Sequence, residues 1–198
     1  MRRKKQVISH FNNFVLEQSF LDGQRFTQQG LALGVGIYAP IFIDLEIQGS
    51  AEYTIPVSAN EDNSFEKSPL FKAEQWLLYT SPISVSGVPF KFGVGAYYLS
   101  MFASNRDFGF NSLLGFQVKG LFENESFWSG FRYGPTGQDL NFKLENREIG
   151  IDIGVRLNPN KKFESWSIFA DYSDTSFISP AKNKTKFQIF SLGLRKQF

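Results

Sequence analysis

Phe187-Gln188-Ile189-Phe190-Ser191-Leu192-Gly193-Leu194-Arg195-Lys196-Gln197-Phe198 closes the chain, and its alternation decides the fold class. Counting back from Phe198, every second residue is Lys196, Leu194, Leu192 and Phe190, while Gln197, Arg195, Gly193 and Ser191 fall on the other face. That is a period of two, one greasy face and one polar face, and it predicts a β-strand.

The same period recurs upstream. Leu31, Leu33, Val35 and Ile37 alternate with Ala32, Gly34, Gly36 and Tyr38, and a second run from Ile41 to Tyr53 carries Asp44, Glu46, Gln48, Ser50 and Glu52 on its polar face. Ala39-Pro40 reads as the reversal between them. Phe71 to Val85 turns at Ser86-Gly87 into Val88 to Phe102; Ser112 to Phe122 turns at Glu123 to Ser126 into Phe127 to Gly134. Glu145 to Leu157 turns at Asn158 to Lys162 into Phe163 to Asp174. These segments exceed the usual five or six residues of globular strands and match the roughly 9 to 11 needed to cross a bilayer at a tilt.

The closing stretch resembles the C-terminal insertion signal of Gram-negative outer-membrane β-barrels, with Ser191, Gly193 and Phe198 in the matching places and Lys196 where that family usually has an apolar residue. The resemblance implies an antiparallel up-and-down transmembrane barrel, outer-membrane lipid around it, and the barrel-insertion machinery as its partner during assembly. Single-chain bacterial barrels have an even number of strands, and the segments above with the closing strand make nine. Gln6 to Leu21 is the candidate tenth, joined by the hairpin signal Asp22-Gly23, although Asn12 and Asn13 put polar groups on both faces. The alternative is an amphipathic helix capped by Ser9 and stopped at Gly23, on an eight-stranded barrel. A ten-stranded barrel is the expectation, because an unpaired strand at Leu31 would leave a bare edge in lipid.

Composition agrees and excludes several functions. The 198 residues make one barrel domain over residues 6–198 preceded by a basic segment, residues 1–5. The 23 Phe, 17 Gly and 7 Tyr favour strands and close packing. With no cysteine there is no thiol chemistry, disulfide or lipid-attachment Cys. A net charge of +2 with scattered basic residues argues against nucleic acid. Arg2 to Lys5 resembles the start of a secretory signal, but Gln6, Ser9, His10, Asn12 and Asn13 interrupt the apolar stretch that should follow, so either a signal has been removed or the chain is not exported.

Taking the Gly-containing or charged face of each strand as interior places Asp44, Glu46, Glu52, Lys72, Glu74, Lys91, Lys119, Arg132, Glu148, Asp152, Arg156, Asp171 and Arg195 inside, seven acidic and six basic. Buried charges must be paired, so near-balance predicts a packed polar network in a narrow barrel. On the outer face Tyr53, Phe102, Tyr133 and Tyr172 fall towards the longer connections, residues 56–69, 103–111, 135–143 and 175–183, and Phe127, Trp166 and Phe198 towards the shorter ones. Two aromatic girdles and sorted loops are the pattern of an outer-membrane barrel. A soluble β-sandwich with its apolar faces meeting inside is the alternative fold.

For chemistry the candidates are thin. His10 is the single histidine, without a recognisable Ser, Asp or Asn motif around it. Asp44 with Glu46, and Glu61, Asp62 and Glu66, are carboxylate groupings more simply read as ion-pair partners and solvated loop residues than as acid/base or cation sites. No catalytic residue, cofactor or metal is expected. The reading is a non-enzymatic structural, surface-interaction or envelope-complex barrel, with an envelope protein as a further partner. The alternatives are a small pore, a lipid-modifying enzyme and a soluble β-sandwich binding protein.

Overall fold

The computed structural model describes residues 5–19, 23, 25–60, 67–101, 112–138, 141–158, 165–178 and 184–198. Its described strands are β1 (Gln6–Ser19), β2 (Arg25–Pro40), β3 (Leu45–Ala59), β4 (Leu70–Val85), β5 (Val88–Met101), β6 (Ser112–Glu123), β7 (Phe127–Gln138), β8 (Asn141–Arg156), β9 (Trp166–Ile178) and β10 (Lys184–Gln197). Each pairs antiparallel with its sequence neighbours, and β1 pairs with β10 over Ile8↔Gln197 to Ser19↔Lys186, which closes a ten-stranded barrel. The Phe198 N–H donates to the Val7 carbonyl at 2.9 Å and finishes the seam. Closure leaves no strand edge with unpaired backbone groups. A soluble sandwich is thereby excluded.

The segment with the poorest alternation is a strand. Asn12 points inward and is buried, Asn13 points outward and is exposed, so the two asparagines sit one on each face. Register is held from both sides by the Leu31 strand and the closing strand, Asn13↔Leu31 and Asn13↔Leu192. Ladder hydrogen bonds override the helical propensity of this stretch. Gly23 has φ 85°, the conformation that a tight connection between β1 and β2 needs; Asp22 lies outside the described residues.

Two boundaries differ from the sequence reading. Ala39-Pro40 is not the reversal: both residues pair within β2, and the turn is Ile41 to Asp44, where the Ile41 and Phe42 N–H groups both donate to the Leu45 carbonyl at 2.8 and 3.1 Å. Proline is tolerated at the strand's last position, where no ladder donor is required. Apolar alternation therefore continued into a turn whose side chains are exposed, Ile43 to 91%. The second difference is in the loops. Pairing runs up to Gln138↔Asn141 across a bulge between Pro135 and Gly137, so most of the expected long connection 135–143 is strand. Likewise β9 runs from Trp166 through Thr175 to Ile178, past its expected end at Asp174, so the loops are less sharply sorted by length than the breaker residues suggested; Phe163, its expected start, lies outside the described residues.

Side chains alternate between a wet or packed lumen and an apolar outer wall. In β8 Ile149, Ile151, Ile153 and Val155 point outward and are exposed, while Glu148, Gly150, Asp152 and Gly154 point inward. Gly150 and Gly154 are required by closeness rather than flexibility: a Cβ there would collide with the Arg132 guanidinium and the Trp128 ring, which lie across them from β7. The outward apolar run from Ile149 to Leu157 covers about 20 Å of height at a tilt of about 40°. An exposed belt of this size, present on every strand, would not be stable in water.

Tyr53, Tyr133, Trp166 and Phe198 are exposed on that outer wall, and Phe127 and Tyr172 share its parity; Phe102 lies outside the described residues. Tyr133 and Tyr172 stand near mid-strand, not at strand ends as expected, because β7 and β9 continue past them. Beyond Tyr172 the outer face turns polar, with Asp174, Gln188 and Lys186 joined by contacts of 3.0 to 3.1 Å. The strands thus project past the apolar belt at the loop end.

Candidate functional site

Among the described residues, the lumen is where functional groups from many strands converge. β4 and β9 stand five strands apart in either direction around the ring, yet Lys72 on β4 approaches Asp171 on β9 at 3.7 Å. Arg132 on β7, 2% exposed, is the hub: it donates to both Asp171 oxygens at 3.0 and 2.9 Å and to Glu148 at 3.2 Å, and lies 3.7 Å from Glu74. Gln117 donates to the other Glu148 oxygen, Lys72 pairs with Glu74 at 3.1 Å, and Lys119 pairs with Asp152 at 3.7 Å. Nη2 alone reaches both Asp171 oxygens while Nε serves Glu148, so one guanidinium ties two carboxylates with charge-assisted hydrogen bonds.

Nearer the end that carries both termini, Lys91 bridges Glu46 at 2.7 Å and Glu123 at 2.6 Å, and Arg156 takes the second Glu123 oxygen at 2.6 Å and the Asn124 carbonyl. A third contact joins His10 Nε2 to Glu52 at 2.8 Å, with the Phe169 ring edge-on to the imidazole at 5.8 Å. Trp76, Leu78, Leu121, Trp128 and Phe169 form an apolar cluster interleaved with these charges. Lys119 lies over Trp76, and Arg195 lies 4.6 Å from the Trp128 ring centre and 5.0 Å from that of Phe169. Such cation–π contacts lower the cost of holding a cation in a narrow lumen.

Of the thirteen residues read as interior, Asp44 is misplaced. It stands exposed in the turn after β2, and its backbone carbonyl accepts from Thr80 at 2.7 Å. The error follows from carrying the alternation through the turn. Glu123, which the sequence reading places in a turn, is the last residue of β6 and points inward, so among the described residues the lumenal balance is again seven acidic and six basic. The carboxylate pair Asp44 and Glu46 is therefore split, and Glu61, Asp62 and Glu66 lie outside the described residues.

The centre of the loop half of the lumen is apolar and carries no charged cluster among the described residues. Phe14, Leu16, Phe26, Leu70, Tyr97, Leu99 and Leu113 meet there, each at most 1% exposed. Gln28 clamps the chain just before β4 over this cluster, donating to the Ser68 carbonyl at 2.9 Å and accepting from its N–H at 3.2 Å. The expected charged network is confined to the rest of the lumen, because at the loop end β1, β2, β4, β5 and β6 turn Phe14, Leu16, Phe26, Leu70, Tyr97, Leu99 and Leu113 inward. What remains open is a cavity of about 130 Å³ reached from the terminus end, whose walls include His10, Asn12, Arg132 and Arg195. Among the described residues no three or more His, Cys, Asp or Glu side chains converge as a metal site would require.

No protein-family profile matches the chain, and no curated protein matches it in sequence. Solved structures do. The outer membrane protease OmpT from Escherichia coli aligns over 98% of this chain and 96% of its own at 10% identity, with a TM-score of 0.51. Neisserial surface protein A aligns over 97% of both chains at 12% identity and a TM-score of 0.43, and Ail, the attachment invasion locus protein of Yersinia pestis, over 99% and 100% at 12% and 0.42. At such identities the likeness is one of fold, and the OmpT alignment carries it: this chain has the fold of a Gram-negative outer-membrane β-barrel.

Proposed function

We propose that the chain is an integral outer-membrane protein whose barrel is sealed, serving as a structural, surface-interacting or envelope-complex subunit and not as a channel or an enzyme. The observation that carries the reading is the filled lumen: an apolar plug across the loop half and, below it, an ion-pair network in which Lys72 and Asp171 reach from wall to opposite wall. Roughly ten strands leave little bore to begin with. In this reading the termini and the turns beside them face the periplasm, the other connections face outward, and Ser191, Gly193 and Phe198 address the nascent barrel to the insertion machinery.

Single-channel recording in planar bilayers tests it. No steady conductance is expected from the folded protein, and reproducible open levels would favour the pore reading. Catalysis has a poor footing in His10, whose Nε2 is held by Glu52 and whose ring is shielded by Phe169. Lipid and peptide turnover by the wild type should be at background and unchanged in His10→Ala; activity lost on that substitution would restore the enzyme reading. Detergent-dependent extraction with heat-modifiable gel migration tests the compartment, since a protein soluble without detergent is incompatible with it.

A further inference from the structure

Lys196 is the anomaly of the closing strand. Among the described strand residues of the terminus half it is the one charged side chain that points to the outer wall, and its ammonium lies 5.5 Å from the Trp166 ring centre and 4.8 Å from that of Phe198. No carboxylate pairs with it among the described residues. A groove of about 610 Å³ on the outer wall begins at Lys196 and Trp166, crosses β10, β1, β2 and β3, and ends at Phe71 on β4. The small Ser9 and Ala51 lie on its floor with Val35 between them, and larger apolar groups such as Leu33 and Tyr53 form the wall beside that row.

The groove climbs. Trp166 is the first residue of β9, at the terminus end, while Phe71 pairs with Tyr53, the ninth of the fifteen residues of β3. Six strands about 4.8 Å apart give a path of about 24 Å, which at a strand tilt of about 40° rises about 15 Å, half of a hydrocarbon core of about 30 Å. The path therefore starts at an interfacial aromatic pair with a cation between its rings and finishes near the bilayer midplane. We propose that this groove holds one phospholipid of the terminus-side leaflet with a net negative headgroup, its phosphate on Lys196 and one acyl chain along the floor past Ser9 and Ala51. Charge complementarity chooses the headgroup: a lone ammonium at an interface gains most from a lipid whose own charge is not already cancelled. The inference rests on the outer-membrane reading and adds a specific lipid site to it.

Native mass spectrometry of the detergent-purified barrel, titrated with phosphatidylglycerol or phosphatidylethanolamine, tests the site. The wild type should hold one phosphatidylglycerol in preference to phosphatidylethanolamine. Lys196→Gln should weaken that binding about fivefold, the equivalent of one interfacial lysine contact, and Ala51→Phe, which fills the floor and leaves Lys196 in place, should weaken it comparably. Val118→Phe, on the opposite wall, should leave it unchanged, and heat-modifiable migration confirms that each variant is folded. Equal binding of the two lipids, or of wild type and Lys196→Gln, overturns the proposal, as does an equal loss in Val118→Phe. A barrel soluble without detergent overturns the outer-membrane reading itself, whereas a detergent-dependent barrel that keeps no lipid overturns this inference alone.

Discussion

The two halves of the lumen are built from different materials. In the loop half, Phe14, Leu16, Phe26, Leu70, Leu99 and Leu113 exclude water by close packing. In the terminus half, Lys72 is held by a carboxylate on the opposite wall and Arg132, Lys91 and Arg156 by carboxylates one or two strands away, and a cavity of about 130 Å³ remains. The contrast teaches that sealing and cross-bracing are separate tasks. Apolar packing is non-directional and closes a bore completely, while charge pairs are directional and fix which walls face each other, at the cost of leaving gaps that water can enter.

The sharpest way to break the contrast is at its charged hub. Arg132→Ala strands Glu148 and Asp171 without their guanidinium, and should lower stability by about 3 to 5 kcal/mol, the cost of breaking a buried pair from one side; the midpoint of urea unfolding in detergent or lipid reads it. Next comes the plug. Phe14→Ala is expected to cost about 3 to 5 kcal/mol from its cavity, and combined with Leu113→Ala it should produce conductance in planar bilayers, which Arg132→Ala should not if packing alone forms the seal. A third test concerns the outer wall. Ile151→Arg, in the middle of the exposed belt, should cost about 2 to 4 kcal/mol when the barrel is in lipid, and far less if that face meets water. The smallest effect is expected at His10. His10→Ala removes one contact to Glu52 on the partly wet side of the lumen and should shift the same unfolding midpoint by about 1 kcal/mol.

Much of this was legible from residue order. The reversal at Ser86-Gly87 falls where expected, between Val85 and Val88, because both residues take the positive φ that a two-residue turn needs; the register then shifts between Thr80 and Ser84, which the sequence does not signal. β1 was harder, because Asn12 and Asn13 erase the alternation that marks a strand, and only pairing with β2 and β10 restores it. Asp44 and Glu123 exchanged places for a related reason: period two shows which face a residue takes but not where the strand stops, and each lies at a strand end. The plug was hidden because apolar residues on the inward face look like errors in a polar pattern. Leu113 stands beside Leu114, and Leu70 beside Phe71, so each reads as a blurred boundary until five strands bring such residues together.

Alternation is a property of neighbours along the chain, and from it the sequence alone determined the strand class, the inward and outward faces, and the identity of most lumenal charges. Which charges meet was decided only by closure of the barrel. Lys72 and Asp171 are drawn together because curvature places β4 opposite β9, and His10 reaches Glu52 because β1 and β3 flank the same strand, β2, with the two side chains turned inward over it. Curvature and stagger belong to the whole sheet, and no single segment encodes them.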